Sequence, residues 1–286
     1  MSRTRNFLHG AAHSGFSIFV WMAAWLVTGK LITHALPVGE VGIFGVLLAA
    51  SDFLILLLGL GIPVALPKLI AGAQAHERPA VLGAALAATA ALAALGAALL
   101  LGLVLALPMS ARAGLPDLVQ DAWPYFAQVP LLLAIGMLRD AMMAALAGFN
   151  AYAARSRAII ASAMAQVLFA WLALFVLRGG LHALLFAVAA GHVVGIVAML
   201  AALPGPRRLR VERGHLRGCL HFSWPLYINS LLTFFHARFD LLLAGAMLGM
   251  EAAGLYEAMK RIPAALSRVL GAMLTPYLPG ASETLA

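Results

Sequence analysis

Eight apolar runs, each about 20 residues or longer, dominate the chain: 16–36, 43–66, 80–107, 123–148, 158–177, 181–203, 219–248 and 254–278. An α-helix rises 1.5 Å per residue, so about 20 apolar residues cross the ~30 Å hydrocarbon core of a bilayer. The runs are rich in alanine and leucine and show no alternation of period two, which points to helices rather than barrel strands. Composition closes the soluble alternative. Hydrophobic residues make up 63% of the 286 and charged residues 10%, against about 25% charged in soluble domains, and the mean hydropathy is +0.96. The expected fold class is therefore an all-α integral membrane bundle of eight transmembrane helices. The single cysteine, Cys219, excludes an intramolecular disulfide framework and a cysteine-cluster zinc site.

The basic residues are placed unevenly. With the N-terminus inside, the cytoplasmic stretches collect Arg3, Arg5, Lys68, Arg78, Arg155, Arg157, Arg207, Arg208, Arg210, Arg213 and Arg217, whereas the outward loops hold Arg112 and Arg178. This asymmetry follows the positive-inside rule, accounts for the net charge of +8 without a nucleic-acid partner, and sets the N-terminus in the cytoplasm. The first run follows Arg3 and Arg5 as a signal peptide would. It contains Lys30 and no small-x-small cleavage site, so it reads as a retained span.

A shift of 212 residues lays the second run on the last one. Gly42-Ile43-Phe44 falls on Gly254-Leu255-Tyr256, Gly59 on Gly271, and Leu66-Pro67 on Leu278-Pro279. Six spans separate the copies, an even number, so both run in the same direction, as in a parallel repeat about an axis along the membrane normal. The implied organisation is a six-helix lobe over 1–204, a basic linker over 205–217, and the first two helices of a second lobe over 218–286. On this reading the chain is truncated or partial, and its missing C-terminal half is a partner.

The loop Leu36-Pro37-Val38-Gly39-Glu40-Val41-Gly42-Ile43-Phe44-Gly45 and the stretch Phe222-Ser223-Trp224-Pro225-Leu226, followed by Arg238-Phe239-Asp240 and by Leu248-Gly249 through Gly254-Leu255-Tyr256, resemble polysaccharide flippases. These are the polysaccharide and O-antigen branch of the multidrug/oligosaccharidyl-lipid/polysaccharide (MOP) exporter superfamily. The resemblance implies a bundle of two lobes around a central cavity, with alternating access. It also implies movement of an undecaprenyl-pyrophosphate-linked oligosaccharide across the bacterial inner membrane. Lipid-linked oligosaccharide, membrane lipids and polysaccharide assembly proteins are the implied partners. Family members have twelve to fourteen helices, more than the eight runs here.

Ionisable groups at bilayer depth are expensive and mark functional candidates. Lys30 in the first run, Arg139 in the fourth and Arg238 in the seventh are candidate ligands for an anionic headgroup, because a pyrophosphate in an apolar medium needs cationic partners. Asp52 and Asp240 are candidates for charge pairing or ion coupling, and Asp52 is expected to neutralise Lys30. Arg139 and Asp140 are neighbours and point about 100° apart, so they cannot both face one cavity squarely. His34, His192 and His236 are expected to be interhelical hydrogen-bonders, and Glu257 is expected to pair with Lys260 or Arg261 along one helix. Phosphate loops, dinucleotide turns and HExxH metal motifs are absent from the sequence, so no catalytic residue, metal or cofactor is expected. Three alternatives to a flippase remain: a cation-coupled drug or metabolite antiporter of the same superfamily, a membrane-embedded glycosyltransferase, and a nonfunctional or partner-binding membrane fragment. The short outward loops disfavour the glycosyltransferase.

Overall fold

The computed structural model describes residues 2–107, 117–203, 213–260 and 263. Among them every regular element is helical. In chain order these are α1 (Ser2–Ala35), α2 (Val38–Gly59), α3 (Ile62–Gly72), α4 (Arg78–Ala106), α5 (Asp117–Ala122), a 3₁₀ segment (Trp123–Gln128), α6 (Val129–Gly148), α7 (Tyr152–Trp171), a π-type turn (Leu172–Val176), α8 (Gly180–Ala202) and α9 (Arg213–Leu248). A last helix, α10, covers 250–260.

Among the described residues six helical stretches are long and apolar enough to span a membrane, beginning with His13–Ala35 and ending with Gly180–Ala202, and the bent pair Arg217–Phe235 and Phe239–Leu248 adds a seventh. The eighth expected run, 254–278, lies mostly outside the described residues, as does most of the linker 205–217.

The second expected run is not one helix. It breaks at Leu60 and Gly61, both with positive φ (47° and 73°), and resumes as α3. Pro63 lacks an N–H, so the helical bond back to Gly59 cannot form, and the neighbouring glycine accepts the left-handed conformation. The break frees carbonyl groups that lipid cannot satisfy. Tyr227 of α9 meets that need, its hydroxyl donating to the Leu57 carbonyl at 3.3 Å. The fit is close, because a Cβ on Gly61 would stand 2.7 Å from the Ser223 carbonyl oxygen.

α6 is the hub of the first lobe. The most apolar 18 residues of its span, Val119–Gly148, are 61% buried, against 17% for those of Arg78–Ala106, and it packs on α2, α3, α4 and α8. Its end is set by Asn150 in the left-handed region (φ 55°), with Ala151 N–H bonded to Leu146 O at 2.9 Å and Asn150 N–H to Ala147 O at 3.0 Å. These two bonds form a Schellman cap, with asparagine tolerating the position that glycine usually takes. α7 and α8 approach through Gly191-His192-Val193-Val194-Gly195. A Cβ on Gly191 would lie 2.9 Å from Gln166 Cα, and one on Gly195 2.8 Å from Ser162 Cβ. Small residues four apart let two backbones meet where lipid supplies no hydrophobic drive.

Helices α2 and α10 meet in a close contact. The two helices start at equivalent positions, 38 and 250, and touch reciprocally. A Cβ on Gly42 would overlap the Met250 carbonyl oxygen, and a Cβ on Gly254 would overlap the Val38 carbonyl oxygen. Val38 and Met250 are themselves 212 apart, so residue and partner exchange roles across the contact, as an isologous two-fold interface requires.

Candidate functional site

Helices α1, α6, α7 and α8 wall a cavity of about 340 Å3 lined by Ile18, Trp21, Arg139, Met143, Arg155, Ile159, Ser162, His192 and Met199. The α7–α8 glycine contact positions it: Gly191 and Gly195 bring the helices together, which turns His192 toward the lining, and Ser162 donates to the Gly191 carbonyl at 2.9 Å.

Arg139 is the charged centre. Its Nε and Nη2 both reach Asp140 Oδ1, at 2.9 and 2.8 Å, and its Nη1 meets His192 Nε2 at 3.0 Å. With Nε2 accepting, the ring carries its proton on Nδ1. His192 is thus an interhelical hydrogen-bonder between α6 and α8. The 100° offset of consecutive helical residues is also seen here: Arg139 lines the 340 Å3 cavity, while Asp140 lines a separate one of about 240 Å3 with Asp52, Gly59, Gly61 and Pro63 at the α2–α3 break. The long guanidinium folds back to its neighbour and links the two cavities.

Asp52 does not neutralise Lys30. Its carboxylate acts electrostatically on the Arg139 guanidinium, whereas the Lys30 ammonium has no ion-pair or hydrogen-bond partner among the described residues. The correction has a geometric cause. Lys30 lies on the exposed stripe of α1 that also carries Phe16, Phe19 and Val27. That helix packs mainly on α7 and only lightly on α2.

A second charge cluster joins α9 to α10. Lys260 Nζ donates to both oxygens of Asp240, Tyr256 Oη donates to Asp240 Oδ2, and the Leu241 N–H donates to Asp240 Oδ1 at 2.8 Å. Asp240 is therefore a pairing residue. Lys260 reaches across to Asp240, and Glu257 is buried (5% exposed) beneath Gly45; the Arg261 side chain expected beside it lies outside the described residues. Arg238 sits on α9, but its side chain, His236 and Arg261 lie outside the described residues. His34 stacks on Phe175, with ring centroids 6.2 Å apart.

Sequence reasoning missed Arg155, which it counted only as a topological charge. The signal was present in its spacing. Arg155, Ile159 and Ser162 fall at i, i+4 and i+7, one face of α7, and all three line the cavity.

Comparison with known proteins follows the fold. A MOP superfamily transporter from Pyrococcus furiosus, described by the reverse polarity of its binding pocket, superposes with a TM-score of 0.67 at 17% identity, covering 93% of this chain and 62% of that one. An outward-facing multidrug resistance MATE family transporter of the MOP superfamily gives 0.62 at 18% identity, covering 94% and 67%. An inward-facing one gives 0.62 at 16%, covering 90% and 60%. The chain thus spans about three fifths to two thirds of these transporters. No curated protein matches the sequence. At these identities the likeness establishes the fold, a multi-pass helical bundle of the MOP type. The polysaccharide biosynthesis protein model matches residues 8–284, nearly the whole sequence, and the chain belongs to that family.

Proposed function

We propose that this chain supplies the first lobe, 1–204, and, after the linker 205–217, the opening of the second lobe, 218–286, of a flippase. It would carry undecaprenyl-pyrophosphate-linked oligosaccharide across the bacterial inner membrane by alternating access. The family supports a role in polysaccharide biosynthesis, and the MOP fold supports transport between two lobes. The loop charges put the N-terminus in the cytoplasm, so the α2–α10 crossing lies at the outer end. Backbone contact through glycines carries little side-chain interlock, which suits a gate. No covalent chemistry is involved. The other half of the transporter and the polysaccharide assembly proteins are the partners of this reading.

The observation that carries the substrate's chemistry is Lys30, an exposed ammonium within a membrane span and without a protein partner among the described residues. It stands five residues before the end of α1, about 8 Å along the axis. A cation left unpaired there is costly, and an anionic headgroup passing it would be held by a charge-assisted contact. Arg238 on α9 is the proposed second cation, with Arg139 held in reserve by Asp140 and His192. Export of lipid-linked sugar in cells making the polysaccharide tests this. Lys30→Gln is expected to cut export about tenfold or more, the loss of one charged hydrogen bond, and Lys30→Arg to retain most of it, with equal protein in the membrane. Normal export by Lys30→Gln would sink the assignment.

One observation favours a second reading, a cation-coupled antiporter: Asp52 and Asp140 share the 240 Å3 cavity at the helix break. Sodium- or proton-dependent transport abolished by Asp52→Asn, with export of lipid-linked sugar intact, would select it.

A further inference from the structure

We propose that the 340 Å3 cavity inside the first lobe is a binding site for the phosphoryl group of an anionic phospholipid, held by Arg155, with the first methylenes of a chain against the apolar walls. This site is separate from the Lys30 site proposed above and shares with that reading only Arg139, which Asp140 and His192 occupy. Trp21 lines the cavity and Lys30 lies nine residues further along α1, which at about 100° per residue places the two on opposite faces of that helix.

The charge balance of the cavity makes the case. Two guanidinium groups line it, those of Arg139 and Arg155. Arg139 is already satisfied by Asp140 and His192. Arg155 is not: its Nε is fully buried and has no hydrogen-bond partner among the described residues. Helices α1, α7 and α8 contain no aspartate or glutamate at all, so Asp140, already spent on Arg139, is the only acid that the four walls offer near this space. The Nε itself is out of reach of a molecule in the cavity, so the contact falls to the Nη end of the side chain that lines it, and a guanidinium matches phosphate oxygens better than any neutral group.

The level of the site identifies the source of that acceptor. Arg155 is three residues past the start of α7 at Tyr152, about 5 Å from the helix end and hence near the headgroup layer. The loop charges make this the cytoplasmic side, where basic pockets between spans take up anionic lipid headgroups. Below Arg155 the walls are apolar, formed by Met143, Ile159 and Met199. The volume is too small for a lipid-linked oligosaccharide and ample for one phosphodiester and a short length of chain.

The protein in phosphatidylcholine nanodiscs, titrated with phosphatidylglycerol, tests the proposal by native mass spectrometry and thermal unfolding. Wild type should retain one phosphatidylglycerol and melt higher. Arg155→Gln should weaken retention about tenfold, the scale of one charged contact, whereas Arg157→Gln, an exposed arginine two residues on that does not line the cavity, should leave it unchanged. Ile159→Trp, which fills the cavity and keeps Arg155, should also lose retention and guards against misfolding of the Gln variant. Inorganic phosphate that raises the melting temperature in pure phosphatidylcholine as much as phosphatidylglycerol does, through Arg155, would keep the phosphoryl site and assign it to free phosphate. Retention by Arg155→Gln equal to wild type, or equal losses in Arg155→Gln and Arg157→Gln, would overturn it. None of these readouts depends on transport.

Discussion

Helices α2 and α10 are copies that meet, and they differ where they must. At Gly42 and Gly254 the copies agree, and each glycine admits a carbonyl oxygen from the other helix. Three residues on, at the next position facing the partner, the copies disagree: α2 has Gly45 and α10 has Glu257. A Cβ on Gly45 would stand 3.0 Å from Glu257 Cγ, so the glycine is the space into which the glutamate packs. Two equivalent side chains cannot share the ground on a two-fold axis. Sequence symmetry survives where backbone meets backbone and is lost where a side chain must cross the axis.

The largest effect should come from filling the symmetric contact. Gly42→Val and Gly254→Val should each cost about 3 kcal/mol by overpacking, lower the melting temperature in detergent by similar amounts, and loosen α2 from α10 in cysteine cross-linking. Unequal losses would show that the reciprocity is only geometric. The asymmetric position should give a smaller effect and a sharper one. Gly45→Glu alone places a second carboxylate against Glu257 and should cost about 2 kcal/mol. The exchange Gly45→Glu with Glu257→Gly should recover most of that, as a double-mutant cycle would measure. Full additivity of the two changes would mean that they do not share the axis. The smallest effect belongs to Gly39, equivalent to the exposed Glu251 and with nothing within 4 Å of a built Cβ. Gly39→Ala should stabilise by about 0.5 kcal/mol through helix propensity, and a loss there would reveal a contact outside the described residues.

The two charge clusters show where sequence reading stopped. Arg139–Asp140 is a pair of chain neighbours, and the angle between them correctly separated the cavities they line. Asp240 and Lys260 are twenty residues apart and belong to different helices, a pairing that spacing along one helix does not reveal. The broken α2–α3 span was legible in Gly61 and Pro63, but the hydrophobic run through them masked it. The Tyr227 hydroxyl that seals the break comes from 170 residues away.

The sequence by itself determined that this protein is a helical membrane bundle, where most of its spans lie, and the 212-residue register of its repeat. Each of these follows from local sums or fixed offsets: the transfer free energy of about 20 consecutive side chains, and the matching of like with like along the chain. Only the tertiary structure decided which charges meet, that Lys30 has no partner among the described residues, that Arg155 enters a cavity, and that Gly45 makes way for Glu257. The physical reason is that these helices are apolar nearly all round, so hydropathy does not set their rotation about their own axes. In lipid that rotation is settled by close packing of small residues and by polar groups finding partners, and both are properties of helix pairs rather than of any one segment.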